Sequence, residues 1–196
     1  MFYYSINFSF HYHFYTATFS KFSKNDPNAP HLTFNGIKIC GSSSSFQTQM
    51  ENKGYVLTKT KDGILVFSGD FIGKSTEQIL VILTPKTKQV WKVVVYFNEK
   101  TSWYSLKGEF NELKDQITQK YGNPSNNYSF FSSPYDEGDG YEITGVKVDK
   151  CHFSAFWDNG ISVEISKYCQ VKLIYEDPFQ SEIFSQEKNK VIQEGL

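Results

Sequence analysis

Four carboxylates fall within seven residues, at Asp136, Glu137, Asp139 and Glu142, and Gly138 and Gly140 lie among them. Calcium takes about six to eight oxygen ligands, so this run could supply part of a site. Its spacing departs from the EF-hand loop, which alternates its ligands and closes on a distal Glu. The simpler expectation is a solvated turn ahead of a strand.

Thiols and imidazoles are the other groups with chemical reach. His152 stands beside Cys151, the residue types of a nucleophile and its base. Neighbours on a strand point to opposite faces, so this pair cannot hydrogen-bond directly, and His31 could serve only if the fold brought it there. The Asp158-Asn159-Gly160 loop pairs Trp157 with Ile161, which sets Cys151 opposite Lys167 and Cys169 diagonal to it on the same face. A disulfide there would need a bulge to shift the register; if 161–166 and 169–176 are separate strands, a whole strand lies between the sulfurs. Free buried thiols and a Cys151–Cys169 bond both stay open, although Cys40 makes the cysteine count odd. No CxxC pair gives structural-zinc spacing. His11-x-His13 would place two imidazoles on one side of a strand, a transition-metal pair short of a full site. Ser42 to Ser45 lack the strand–GxSxG–helix context of a nucleophile elbow, and Gly41 alone makes no phosphate loop. Those serines read as helix caps. With no assembled constellation, the expectation is a protein without a cofactor that is not an enzyme.

The elements that would carry these groups are legible from periodicity. Trp103, Leu106, Phe110, Leu113, Ile117 and Tyr121 recur every three or four residues, the stripe of an amphipathic helix. Thr101 and Ser102 can cap it, Gly122 stops it and Pro124 lies beyond. A shorter helix follows Ser42–Ser45, with Phe46 and Met50 one turn apart and Lys53-Gly54 at its end. His31–Cys40 reads as a short strand with a Gly interruption. Strands are expected at 55–60, 64–71, 77–84 and 88–97, then at 141–148, 151–157, 161–166 and 169–176, with a long polar loop over 123–140. Ile79–Leu83 is apolar on both faces and reads as a central, doubly covered strand. The same unit, a helix ended by Gly and then strands in hairpin spacing, thus occurs at 42–97 and at 101–176. Short turns favour antiparallel pairing. The expected fold is α+β, with tandem helix-plus-antiparallel-sheet repeats forming one twisted sheet and helices on one face. Residues 31–177 make the domain, and 178–196 form a charged tail that reads as a loosely attached helix.

The 196 residues suffice for one sizeable core or two small repeats sharing one. Twenty Lys plus Arg against 21 Asp plus Glu leave a net charge of −1, so no global field calls for nucleic acid. All 20 of the cations are Lys, which lacks the bidentate fork suited to phosphate. No run approaches the about 18 apolar residues of a membrane span. Residues 1–30 differ from the rest: Tyr4, Ile6, Phe8, Phe10, Tyr12 and Phe14 alternate with polar residues, and 25–30 is a Pro-rich linker. As written, the start has no basic n-region, continuous apolar stretch or cleavage site, so it is not a signal peptide. One reading is an edge strand; the other is a segment outside the folded domain, disordered or translated from too early a start.

The stretches HLTFNGIKICG, SWYSLKGEFNELKDQITQKYGNP, SPYDEGDGYE and VKLIYED resemble a group of small uncharacterised bacterial proteins, commonly exported. The likeness spans 31–177 and implies no activity. At the level of topology, the doubled helix-plus-sheet unit resembles the β-lactamase inhibitory protein fold, without a matching residue motif. The resemblance implies export if the start is mis-assigned; otherwise the compartment is open.

What is left is surface. Alternation assigns Trp91, Val93, Val95, Phe97, Cys151, Phe153, Ala155, Trp157, Ile161, Val163, Ile165, Val171, Leu173 and Tyr175 to the core side of the sheet. It assigns Lys92, Tyr96, His152, Phe156, Glu164 and Lys172 to the other side. A solvent-facing sheet that mixes aromatics with charges is suited to a protein partner; cross-strand pairs of the same kind also stabilise any open sheet. The expectation is a non-enzymatic protein-binding or inhibitor-like module. Its alternatives are an enzyme or calcium-dependent protein using the 123–142 loop, and a structural or accessory envelope protein.

Overall fold

A computed structural model describes residues 30–195, so the N-terminal alternation and the His11–His13 pair lie outside the described residues. In chain order the elements are β1 (Thr33–Phe34), β2 (Ile37–Lys38), α1 (Ser43–Asn52), β3 (Val56–Lys61), β4 (Ile64–Ser68), β5 (Thr76–Leu83), β6 (Val90–Phe97), α2 (Trp103–Tyr121), β7 (Asn126–Phe131), α3 (Glu142–Lys147), β8 (Cys151–Trp157), β9 (Ile161–Ser166), β10 (Gln170–Glu176) and α4 (Pro178–Glu194). Strands β3 to β10 form one antiparallel sheet in the order β3-β4-β5-β6-β10-β9-β8-β7, and β1 and β2 form a separate hairpin. The chain is therefore α+β. Each half runs outward-in: β3 to β6 climb from one edge to the middle, β7 to β10 climb from the other, and β6 meets β10.

One face of the sheet makes the core. Phe46 and Met50 of α1 and Leu106, Phe110, Leu113 and Ile117 of α2 share a single buried cluster with Val93, Val95, Phe97, Phe153, Ala155, Trp157, Ile161, Val163, Val171, Leu173 and Tyr175. The helix stripe and the strand alternation thus meet as the 3.6 and 2 periodicities require. Ser42 and Ser102 cap the two helices, their hydroxyls accepting from the N–H of Ser45 and Ser105. Gly160 is forced by space and by backbone: its φ is +88°, and a Cβ there would lie 2.1 Å from the Glu176 carbonyl oxygen.

The structure departs from the sequence reading at five places between residues 31 and 177. Residues 141–148, read as a strand, form α3, because Gly145 packs without a Cβ against the rings of Phe131 and Tyr135 and Val146 is buried. The loop expected over 123–140 contains β7, which pairs residue by residue with β8. His31–Cys40 is a hairpin, turned by Asn35 and Gly36 at φ +46° and +78°. In β5 only alternate residues are buried, leaving Leu80 and Ile82 half-exposed instead of covered on both sides. Trp91 leaves the core stripe at a register shift between Ile82 and Leu83, where Val90 and Lys92 take the paired positions. Its indole instead stacks on Phe184 of α4, with centroids 4.1 Å apart.

The C-terminal helix is not a loose tail. Asp177 caps it and Pro178 occupies its first turn. Ten residues further on, Glu187 is nearly buried and locks onto the β5–β6 turn, accepting from the backbone N–H of Lys86 (2.6 Å) and Thr87 (3.1 Å) and from the Thr87 hydroxyl (2.6 Å). Burial works against the Glu187 charge, but these donors outweigh it and hold its carboxyl below the usual range. A folded pKa below the unfolded value stabilises above the unfolded pKa, and that stability is lost as pH falls through the folded one. Glu187→Gln is therefore expected to cost about 1–3 kcal/mol at neutral pH. Urea denaturation of both proteins should show the difference constant above about pH 5 and shrinking below about pH 4.

Candidate functional site

The acidic run is used to build its own loop. Glu137 accepts from the Trp103 indole N–H (3.1 Å) and pairs with Lys107, whose ammonium holds its carboxyl below the usual range. Asp139 accepts from the N–H of Asp136 (2.9 Å) and of Tyr141 (2.6 Å), and Glu142 from that of Gly138 (2.8 Å). The side chain of Asp136 takes no part in this closure. Among the described residues no three His, Cys, Asp or Glu side chains converge in a way that could hold a metal ion.

The thiols are separated and unactivated. All three cysteines are free, and β9 lies between β8, which carries Cys151, and β10, which begins just beyond Cys169. Burial pushes the Cys151 thiol up to about 12 and raises those of Cys40 and Cys169. A nucleophilic thiol needs the opposite shift. His152 points away from Cys151, as alternation requires. It stacks on Phe130 at 4.8 Å, and its Nε2 lies 2.7 Å from the Ser132 hydroxyl. Ser132 and His152 thus have the spacing of a nucleophile and base, but among the described residues no carboxylate bonds the other ring nitrogen to orient the imidazole. Sequence reasoning gave Ser132 no role, and no motif marks it.

His31 finds its partner at the far end of the chain. Its Nδ1 lies 3.1 Å from Asp177 Oδ1, and the other Asp177 oxygen accepts from the Leu32 N–H at 2.8 Å. Asp177 is fully buried, also accepts from the Gln180 N–H (3.0 Å), and donates its own N–H to the Trp91 carbonyl. The β1–β2 register, continued, brings Cys40 towards His31, but the Asp177 carboxylate disfavours its thiolate, after burial has done so. This cluster is a structural tie, and the Asp-Pro pair that opens α4 is the signal that could have marked it.

The remaining sequence candidates do come together. Lys92, Tyr96, His152, Phe156, Glu164 and Lys172 all lie on the sheet face opposite α1 and α2. One cross-strand row on this face spans every strand: Lys59, Val66, Leu80, Val94, Ile174, Ser162, Phe156 and Asn126. A parallel row contains Gln78, Tyr96, Lys172, Glu164, Ser154 and Tyr128. Lys172–Glu164 at 2.7 Å lies within the second row, and Lys92–Glu176 at 2.9 Å lies on the other side of the first. Burial disfavours the Lys172 charge, but the Glu164 carboxylate more than offsets it and raises its pKa. Phe156 meets Tyr128 edge-on at 6.2 Å. The face therefore presents aromatic area fixed between charges that are already paired.

No family model fits the chain, and no curated protein and no solved structure is similar enough to count as a relative. No helix among the described residues is long and apolar enough to cross a membrane. Fold and site together define an α+β protein with one sheet face covered by α1 and α2 and the opposite face, part-covered by α4 at Trp91 and Glu176, lined elsewhere with aromatics and ion pairs.

Two measurements check these assignments. Asp177→Ala removes a helix cap worth about 1 kcal/mol and strands the part-buried Leu32 N–H, a further cost of about 1–3 kcal/mol, so chemical denaturation should show a loss of roughly 2–4 kcal/mol. Millimolar calcium is expected to leave the melting temperature unchanged; a rise of several degrees would mean that the 123–142 carboxylates reorganise around the ion.

Proposed function

We propose that this chain is a non-enzymatic protein-binding module of the inhibitor-like kind, which takes its partner on the open face of the sheet. The observation that supports this most is the gathering of Tyr96, Phe156, His152, Lys92, Glu164 and Lys172 on the sheet face opposite α1 and α2, beside the strip at Trp91 and Glu176 that α4 covers. Aromatic anchors set in a flat scaffold bind at low entropic cost, because their side chains are already held. The Lys172–Glu164 and Lys92–Glu176 pairs are neutral as units, so the partner need not supply a compensating charge for each. Within this reading the two helix-plus-strand units are repeats, and pairing of their last strands extends one recognition face across both.

The test is a double variant. Tyr96→Ala with Phe156→Ala should abolish capture of a protein that the wild type retains from its own cells. The melting temperature should fall by no more than about 4 °C, since these are surface-facing changes on an intact ladder. Undiminished capture by the double variant would reject the open face as the binding surface.

A further inference from the structure

The two edges of the sheet are built differently. At one end, β3 (sequence VLTKTK) carries Lys59 and Lys61, and its register shifts between Leu57 and Lys59. Lysines and bulges on an edge strand prevent it from pairing with another chain. At the other end, β7 (NNYSFF) has neither. Its register with β8 is unbroken from Asn126 to Phe131, its residues are exposed through Phe130, and no charged residue or proline occurs between Ser125 and Ser133.

The direction of its free backbone groups follows from one bond. The Ser132 N–H donates to the Lys150 carbonyl at 2.8 Å, on the same register as the Phe131–Cys151 pair. In an antiparallel ladder hydrogen-bonded positions alternate, so Tyr128 and Phe130 bond inward to β8, while Asn127, Ser129 and Phe131 direct N–H and C=O outward. Among the described residues no strand pairs with that outer side.

We propose that the β7 edge pairs with the β7 edge of a second copy of this chain, antiparallel, about a twofold axis through Ser129. The argument for a second copy is self-complementarity. An isologous contact places each residue opposite a residue of the same patch, so any charge near the axis meets itself. On β3 that would oppose lysine to lysine, whereas β7 is neutral throughout. With Ser129 on the axis, each Ser129 N–H donates to the other Ser129 carbonyl, and Asn127 exchanges bonds with Phe131. Every outward group of the strand is then satisfied. In the same register Tyr128 of each copy falls opposite Phe130 of the other, on the open face, and aromatic cross-strand pairs are among the favoured ones. Those rings are already positioned from behind, Phe130 by the stacked His152 and Tyr128 by the edge of Phe156. The paired sheets form one continuous sheet across the axis. This inference is independent of what the open face binds.

Sedimentation equilibrium of the full chain, from micromolar to near-millimolar concentration, tests it beside Ser129→Lys. The wild type should show a monomer–dimer equilibrium. Ser129→Lys, which sets two like charges on the axis at an exposed position, should stay monomeric with an unchanged circular dichroism spectrum. A second reading needs no variant: amide exchange at Asn127, Ser129 and Phe131 should slow as concentration rises, while Tyr128 and Phe130 are slow throughout. A wild type that is monomeric at every concentration overturns the proposal. So does a dimer indifferent to Ser129→Lys whose three outward amides exchange at a constant rate, because its contact lies elsewhere.

Discussion

The antiparallel pairing of β6 with β10 is the constraint on which the rest of the molecule depends. Five residue pairs, from Lys172 opposite Tyr96 to Glu176 opposite Lys92, join the two halves of the sheet. Side chains alternate with a period of two, so a slip of one residue here would turn Val171, Leu173 and Tyr175 away from the helices and drive Lys172 into them. The seam therefore fixes in one step which faces form the core and which remain open. It also makes the two cross-strand rows continuous, since neither half alone brings Tyr96 beside Lys172 and Glu164.

Asp177 extends that constraint past the last strand. Its carboxylate, fully buried, satisfies the first turn of α4 and the Leu32 N–H at once, and its own N–H continues the β10–β6 contact to the Trp91 carbonyl. A buried carboxylate is tolerated because its acceptor sites are met by fixed donors. Together with the Glu187 clasp on the β5–β6 turn, it makes α4 part of the scaffold and holds one end of the sheet stiff. Rigidity suits a surface that recognises by shape, because little order remains to be imposed when a partner arrives.

How far the sequence revealed this varied with how locally each element is determined. The α2 stripe was legible because six apolar residues at helical spacing, a Ser cap and a terminal Gly all agree. The β8–β9 hairpin was legible from Asp158-Asn159-Gly160, and the core alternation of β8, β9 and β10 from its period of two. The Asn35-Gly36 turn carried an equally strong hairpin signal that the short flanking strands obscured. By contrast Tyr141 and Ile143 alternate with Glu142 and Thr144 much as the start of a strand would, and the close approach of Gly145 to Phe131 and Tyr135 and the burial of Val146 go with the helix. β7 is poor in strand-forming residues over its first half and exists because β8 offers it a ladder. The displacement of Trp91 needed knowledge of the register with β5. Of the candidate site, the open-face residues were legible from alternation alone, whereas Ser132 beside His152 and His31 beside Asp177 are contacts made only by the tertiary fold.

The central seam also shapes how the chain meets the cell during synthesis. β6, with the sequence VWKVVVYF, is complete when the first half has emerged, but its partner β10 is made on the order of 80 residues later, which at roughly 5–20 residues per second is a delay of about 4–16 s. Throughout that interval the most apolar strand of the sheet is an open edge on a half-built core. The finished molecule conceals its stickiest strand at its centre, and the nascent one must carry it exposed, so that the rate of elongation past α2 and the attention of chaperones become part of how reliably this protein is made.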